Sequence, residues 1–297
     1  MFRTVSNPKK IFCQITGYHP QDILSINTIL GGMSNQIFLV TTYDKRFTLR
    51  LPFKESGKYV DYFIESKVLG LLASTDISNR VLYFNEVTGI RISEYTDGQV
   101  LSDPDIVIDD YIPKIASRLH ELHSLEYSIP YKYEFDLILT KYESLTNNID
   151  PRYFTLKQLW MNKFYTNFFN DLRVFSHGDI QRSNIIVNSS RTQVYLLDFE
   201  FSRFNYVHFD LASFGNIDFN DSLKLTYEYF KNKPNVDADI YKVKFFRMFQ
   251  VLQWYLVALS KDKTKIGSFL KLNFLEVANN YLNQAINFSV ELELSDH

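Results

Sequence analysis

The run His177-Gly178-Asp179-Ile180-Gln181-Arg182-Ser183-Asn184 is followed, after a short interval, by Asp198-Phe199-Glu200. Asp179 and Asn184 are five residues apart, on what must be a loop. A carboxylate at Asp179 can accept the proton of a substrate hydroxyl and align its oxygen on a phosphate. The amide oxygen of Asn184 and the carboxylate of Asp198 are the hard oxygen donors that Mg2+ prefers. Glu200 is a third donor, able to reach the metal directly or through water. This H-x-D-x-x-x-x-N plus D-F-x pattern is the equipment of phosphoryl transfer from ATP. Two separate elements at the right spacing make a chance turn-cap and a chance strand end a poor explanation.

A loop must present Asp179 and Asn184, and a hairpin must bring Asp198 back to them. Residues 185–187 read as a strand, Asn188-Ser189-Ser190 as a turn and 193–197 as the return strand. Upstream, residues 25–30, 36–42 and 46–51 are strand-like, with Gly31-Gly32 and Asp44-Lys45 as turn signals and Pro52 as a stop. Phe63, Val68, Leu71 and Leu72 predict a helix over 59–73, and 81–84 with 89–95 predict a further hairpin. After Asp97-Gly98 the pattern turns helical: 108–125, 138–148, 156–172, and most of the chain from Tyr206. The expectation is an α+β, bilobal, protein-kinase-like fold. A small N-terminal antiparallel sheet lobe (1–97) would bind nucleotide, and a larger, mainly helical lobe (98–297) would carry catalysis and substrate.

Composition narrows the alternatives. The chain has 297 residues, enough for a large core without disulfides or structural metals. Its formal net charge of −2 argues against a general nucleic-acid surface, which needs a basic excess. Cys13 is the one cysteine, so no internal disulfide can form and a reducing compartment is expected. Residues 1–10 lack an apolar leader core, and the greasy stretch 248–259 is interrupted by Gln250 and Gln253. It is too short for the ~20 residues of a membrane span, so a soluble cytoplasmic protein is expected. The 26 Phe and 20 Tyr are read mainly as core filling. His120 and His123 have the wrong helical spacing for a zinc pair and are read as helix packing. His177 is read as a brace for the catalytic loop, and Asp210 as a support for its backbone.

The run from Leu197 to Tyr206, Leu-Asp-Phe-Glu-Phe-Ser-Arg-Phe-Asn-Tyr, then Phe209-Asp210-Leu211-Ala212, resembles the choline/ethanolamine kinase signature. Gln181 matches the D-x-Q of these kinases. Leu30-Gly31-Gly32-Met33-Ser34-Asn35-Gln36 is similar to the G-G-M-T-N loop of the bacterial members, which make phosphocholine for lipopolysaccharide or teichoic acid. The resemblance spans about residues 25–285. It implies that Gly32, Ser34 and Asn35 lie over the ATP phosphates. It places Arg50 where protein kinases carry their phosphate-binding lysine, with Glu65 as ion-pair partner and Glu55 and Asp61 as competitors for that role. It makes Glu94-Tyr95 the hinge whose backbone reads adenine, and it puts Gln181 at the substrate.

Choline cannot donate N–H hydrogen bonds, so its binding calls for an aromatic cage. Trp254 falls where the family has a W-x-x-W pair, and Val257 replaces the second tryptophan. Phe269 falls near a family tyrosine. The expected activity is ATP- and Mg2+-dependent phosphorylation of a small amino alcohol, choline first. Ethanolamine, an aminoglycoside, or a catalytically dead binding module are the alternatives. The intact Asp179, Asn184 and Asp198 argue against the last.

Overall fold

A computed structural model describes residues 7–29, 35–54, 56–126, 131–262 and 273–294. The chain divides into two compact units: Met1–Val107 with Arg182–Ser202, and Ile108–Gln181 with Arg203–His297.

The first unit is built on a five-stranded antiparallel sheet in the order β1-β2-β3-β5-β4. Its strands are β1 (Ile23–Ile29), β2 (Asn35–Thr42), β3 (Arg46–Pro52), β4 (Val81–Phe84) and β5 (Arg91–Glu94). Alternation decides the faces. Phe38 and Val40 on β2, Phe47, Leu49 and Leu51 on β3, and Ile92 on β5 build one core. Helix α1 (Pro8–Thr16) covers it by burying Phe12, whose ring lies 5.3 Å from that of Phe47. This helix was not expected from the sequence. Its signals are at its ends: Asn7 caps the first turn with Pro8 following, and Gly17 closes it in the left-handed region. Helix α2 (Tyr62–Leu72) follows β3, and the Asp61 carboxylate caps it by accepting from the Ile64 N–H.

A second sheet of this unit has the order β6-β8-β9, from Gly98–Val100, Ile185–Asn188 and Val194–Leu196. The hairpin expected around Asn188 is β8–β9. The pairing of β6 with β8 explains why Arg182–Ser202 packs with the N-terminal segment rather than with its sequence neighbours. Gly98 makes the pairing possible, because a Cβ there would lie 2.0 Å from the Val187 carbonyl oxygen.

The second unit is mainly helical: α3 (Ile112–His123), α4 (Phe135–Ser144), α5 (Pro151–Asn167), α6 (Val207–Phe214), α7 (Phe219–Tyr229), α8 (Asp237–Asp262) and α9 (Phe274–Glu291). Strands β7 (Val174–Ser176) and β10 (Arg203–Asn205) pair antiparallel. The helix expected over 108–125 is divided: a 3-10 turn at Ile108–Asp110 precedes α3, with proline in the first turn of α3. The aromatic excess is core here. Trp160 stacks on Phe164 and Phe245 and donates to the Phe245 carbonyl at 2.7 Å, while Phe135, Phe246 and Phe249 surround it. No helix among the described residues is long and apolar enough to cross a membrane.

Candidate active site

In the first unit the pleat places Arg50 directly opposite Arg91 across β3 and β5. Two cations facing each other on neighbouring strands repel. Glu65 of α2 resolves this with one oxygen for each: Oε2 lies 2.7 Å from Arg50 and Oε1 3.3 Å from Arg91. Both Arg50 and Glu65 are dry, at 2% and 0% exposure. Asp61 is committed to its helix cap, and Glu55 lies outside the described residues. Arg50 also meets Asp198 at 3.1 Å and Glu200 at 3.5 Å, and Arg91 meets Asp198 at 3.8 Å. Burial works against the Arg50 charge, but Glu65, Asp198 and Glu200 outweigh it and hold the guanidinium firmly protonated. Arg91, which sequence reasoning missed, is lowered by burial and by Arg50. Only the strand register puts it here.

The β8–β9 hairpin delivers the metal-ligand candidates. Asn184 ends a 3-10 turn just before β8, and its carbonyl accepts from the Leu197 N–H at 2.8 Å. Asn184 and Asp198 therefore flank the base of one hairpin. Asp198 has φ +66°, a left-handed conformation that costs a non-glycine residue energy. Glu200 follows in a 3-10 turn and is buried, and Asn35 donates to its Oε2 at 3.3 Å. Burial, then the Asp198 charge, pushes the Glu200 carboxyl well above its ordinary value. The buried Glu200 and the partly exposed Asp198, beside the unpaired buried amide oxygen of Asn35, form a donor set of hard oxygens. These residues fit a divalent cation such as Mg2+.

The expected adenine-reading segment is already engaged in part. The Glu94 N–H donates to the Arg80 carbonyl, its C=O accepts from Asn79 Nδ2, and the Tyr95 N–H donates to the Arg46 carbonyl. Arg46 packs over the Tyr95 ring and pairs with Asp97. Gly32 and Ser34, expected over the phosphates, lie outside the described residues, as does Phe269.

In the second unit the 177–181 segment is pinned by Asp210 of α6. The two Asp210 carboxylate oxygens accept the N–H groups of His177 and Gly178 at 2.8 Å each. Gly178 takes φ +84°, which turns the chain into Asp179. His177 is fully buried and its Nδ1 accepts from the Asp179 N–H, the bracing expected of it. His123, read from sequence as packing, does more: its ring bridges Asp210 and the Tyr229 hydroxyl at 2.9 Å each. His120 stacks on Tyr229, as packing requires. The Asp179 Oδ1 accepts from Gln181 Nε2 at 2.6 Å. Trp254 is half-buried on α8, and Val257 one turn on is buried. Among the described residues there is no cluster of His, Cys, Asp and Glu with metal-site geometry.

The sequence model of the choline/ethanolamine kinase family matches residues 26–240. Choline kinase B1 of Caenorhabditis elegans is 25% identical over 244 residues, covering 72% of this chain and 65% of its own length. A probable ethanolamine kinase of Arabidopsis thaliana is 35% identical over 214 residues, covering 65% of this chain and 56% of its own. The chain thus spans less than two-thirds of the length of these relatives. Among solved structures, choline kinase LicA from Streptococcus pneumoniae superposes with a TM-score of 0.73 at 22% identity, over 92% of this chain and 98% of that one. LicA has also been solved in complex with AMP. With the family model matching residues 26–240, well over half of its length, the chain belongs to the choline/ethanolamine kinase family.

Proposed function

We propose that this protein transfers the terminal phosphoryl group of ATP to the hydroxyl of a small amino alcohol, choline first among them. The observation that carries the proposal is the cluster of buried Arg50, Glu65 and Glu200 with the partly exposed Asp198. A soluble fold does not place three carboxylates around a dry arginine without a use for them, since such charges are costly to bury. Residues 1–97 and the hairpin ligands Asn184, Asp198 and Glu200 would serve the nucleotide and Mg2+. Arg50, held by Glu65, would meet phosphate oxygens with its planar fork. Bound there, Mg2+ would neutralise charge on the phosphates. In 98–297, Asp179 is assigned as general base for the acceptor hydroxyl, with Gln181 beside it. The reducing cytoplasm suits a chain with one thiol.

Acceptor choice turns on Trp254. One ring face can stabilise a quaternary ammonium by roughly 0.5–2 kcal/mol. With Val257 in place of a second aromatic the cage is less complete, and this favours ethanolamine as the second reading. Ethanolamine's ammonium donates hydrogen bonds and depends less on a closed cage. The relatives include both kinds of kinase by name. The test is ADP release from ATP and Mg2+ with choline and with ethanolamine. Acceptor-dependent ADP with either supports the reading, and their ratio of kcat/KM assigns the acceptor. Equal ADP release with and without acceptor would sink it.

A further inference from the structure

Arg247 is an anomaly in α8. It sits in an otherwise apolar stretch from Phe245 to Phe249 and is 2% exposed. Buried cations ordinarily meet a carboxylate. Among the described residues no ion pair to Arg247 is present within 4 Å. Its guanidinium donates instead to two amides: Gln250 Oε1 at 3.2 Å and Asn216 Oδ1 at 3.2 Å. Burial pushes its pKa down to about 10, against weak support from Tyr281 and Asp179.

The contacts continue in one direction. Gln250 Nε2 donates to the Phe209 carbonyl at 2.8 Å, so its oxygen must face Arg247. Arginine can only donate, so the Asn216 oxygen must face Arg247 and its NH2 must face away. Asn216 Nδ2 donates to Gln181 Oε1 at 2.9 Å. That leaves Gln181 Nε2 for Asp179, whose Oδ1 it meets at 2.6 Å. A donor-only cation stands at one end and a carboxylate at the other. Each amide between them has a single orientation that satisfies both neighbours.

We propose that Arg247 and Asn216 are positioning residues for Asp179, acting through Gln181 to hold the carboxylate as an oriented hydrogen-bond acceptor. The proposal rests on the assignment of Asp179 as base. It explains why a costly unpaired cation is kept in an apolar helix: its charge fixes the polarity of the relay. It also gives Gln181 a task beyond touching substrate.

Asn216→Asp is the decisive variant. It is nearly isosteric and gives Arg247 a stronger partner, so a purely structural role predicts equal or greater stability with unchanged turnover. The relay predicts the reverse for turnover. A carboxylate there cannot donate to Gln181, whose amide would turn its NH2 towards the new acid and its oxygen towards Asp179. A hydrogen bond to a charged group is worth roughly a factor of ten to a hundred. We expect kcat to fall by about tenfold or more, with KM for ATP within about twofold and no loss of melting temperature. Turnover is read as ADP release with choline and with ethanolamine, or as ATP hydrolysis where neither accepts. Arg247→Met should lose kcat similarly, with a stability cost set by the Gln250 and Asn216 amide oxygens it leaves without a donor. If Arg247→Met fails to fold, Asn216→Asp decides alone. Wild-type kcat in Asn216→Asp, or losses that follow stability and KM for ATP together, would overturn the relay. Asp179→Asn separates the two levels. Full turnover in that variant would defeat the base assignment itself, whereas an inactive Asp179→Asn beside a fully active Asn216→Asp would defeat only the relay.

Discussion

Removing the Arg50 guanidinium is the sharpest test of the buried cluster. Arg50 meets Glu65, Asp198 and Glu200, whereas Arg91 meets Glu65 and Asp198. Arg50→Met removes the cation that touches all three acids and strips Glu65 of its closer partner, at 2.7 Å. At an effective dielectric of about 20, one pair at about 4 Å is worth about 4 kcal/mol. Breaking a buried pair by deleting one member costs about 3–5 kcal/mol. The two estimates agree, so Arg50→Met should lose about that much stability in urea denaturation without nucleotide, read from the midpoint at unchanged slope. The double variant Arg50→Met/Glu65→Leu should recover most of the loss, because an apolar pair replaces a desolvated ionic one and Arg91 retains Asp198. A single-variant cost below about 1 kcal/mol, the range of exposed pairs, would mean that water screens the cluster. A double variant as unstable as the single one would refute the pairing argument.

Three further outcomes follow. Asp198→Ala and Asn184→Ala should each weaken Mg2+-dependent ATP binding by calorimetry, with added Mn2+ partly restoring Asn184→Ala; unchanged metal dependence in both would remove them as ligands. Trp254→Leu should raise KM for choline from a few-fold to some thirtyfold, as roughly 0.5–2 kcal/mol of cation–π energy requires, and leave KM for ATP in place; equal damage to both constants would make Trp254 core. Burial lowers the His208 pKa despite its 2.8 Å contact with Asp239, so the unfolded chain takes up a proton near pH 6.5 that the folded one resists. Stability from neutral His208 is present above that pH and declines as pH falls below it, and His208→Gln should flatten the slope; an unaltered slope would show that His208 does not carry it.

The local structure of the 177–200 segment was legible because its signals are close in sequence. Asp179, Asn184 and Asp198 are tied by one loop and one hairpin, and turn signals at Asn188-Ser189-Ser190 announce that hairpin. The five strands of the first sheet were legible from alternation, and Glu65 from its place on the helix after β3. What escaped depends on long-range register. Arg91 faces Arg50 only because β5 pairs with β3 in a particular alignment. Residues 182–202 belong with the N-terminal segment because β6 pairs with β8, which no local pattern announces. His123 meets an acid 87 positions away. Arg247 was hidden by its own helix, where one charge among apolar neighbours reads as an interruption. Helix α1 is only nine residues long, though Asn7-Pro8 and Gly17 mark its ends.

The most direct measurement is 31P NMR of the purified protein with ATP, Mg2+ and choline, repeated with ethanolamine. The account predicts a phosphomonoester resonance that grows at the same rate as ADP, only when acceptor is present, and that vanishes in Asp179→Asn. ADP without a phosphoester from either acceptor, or a phosphoester formed as fast by Asp179→Asn, would contradict it.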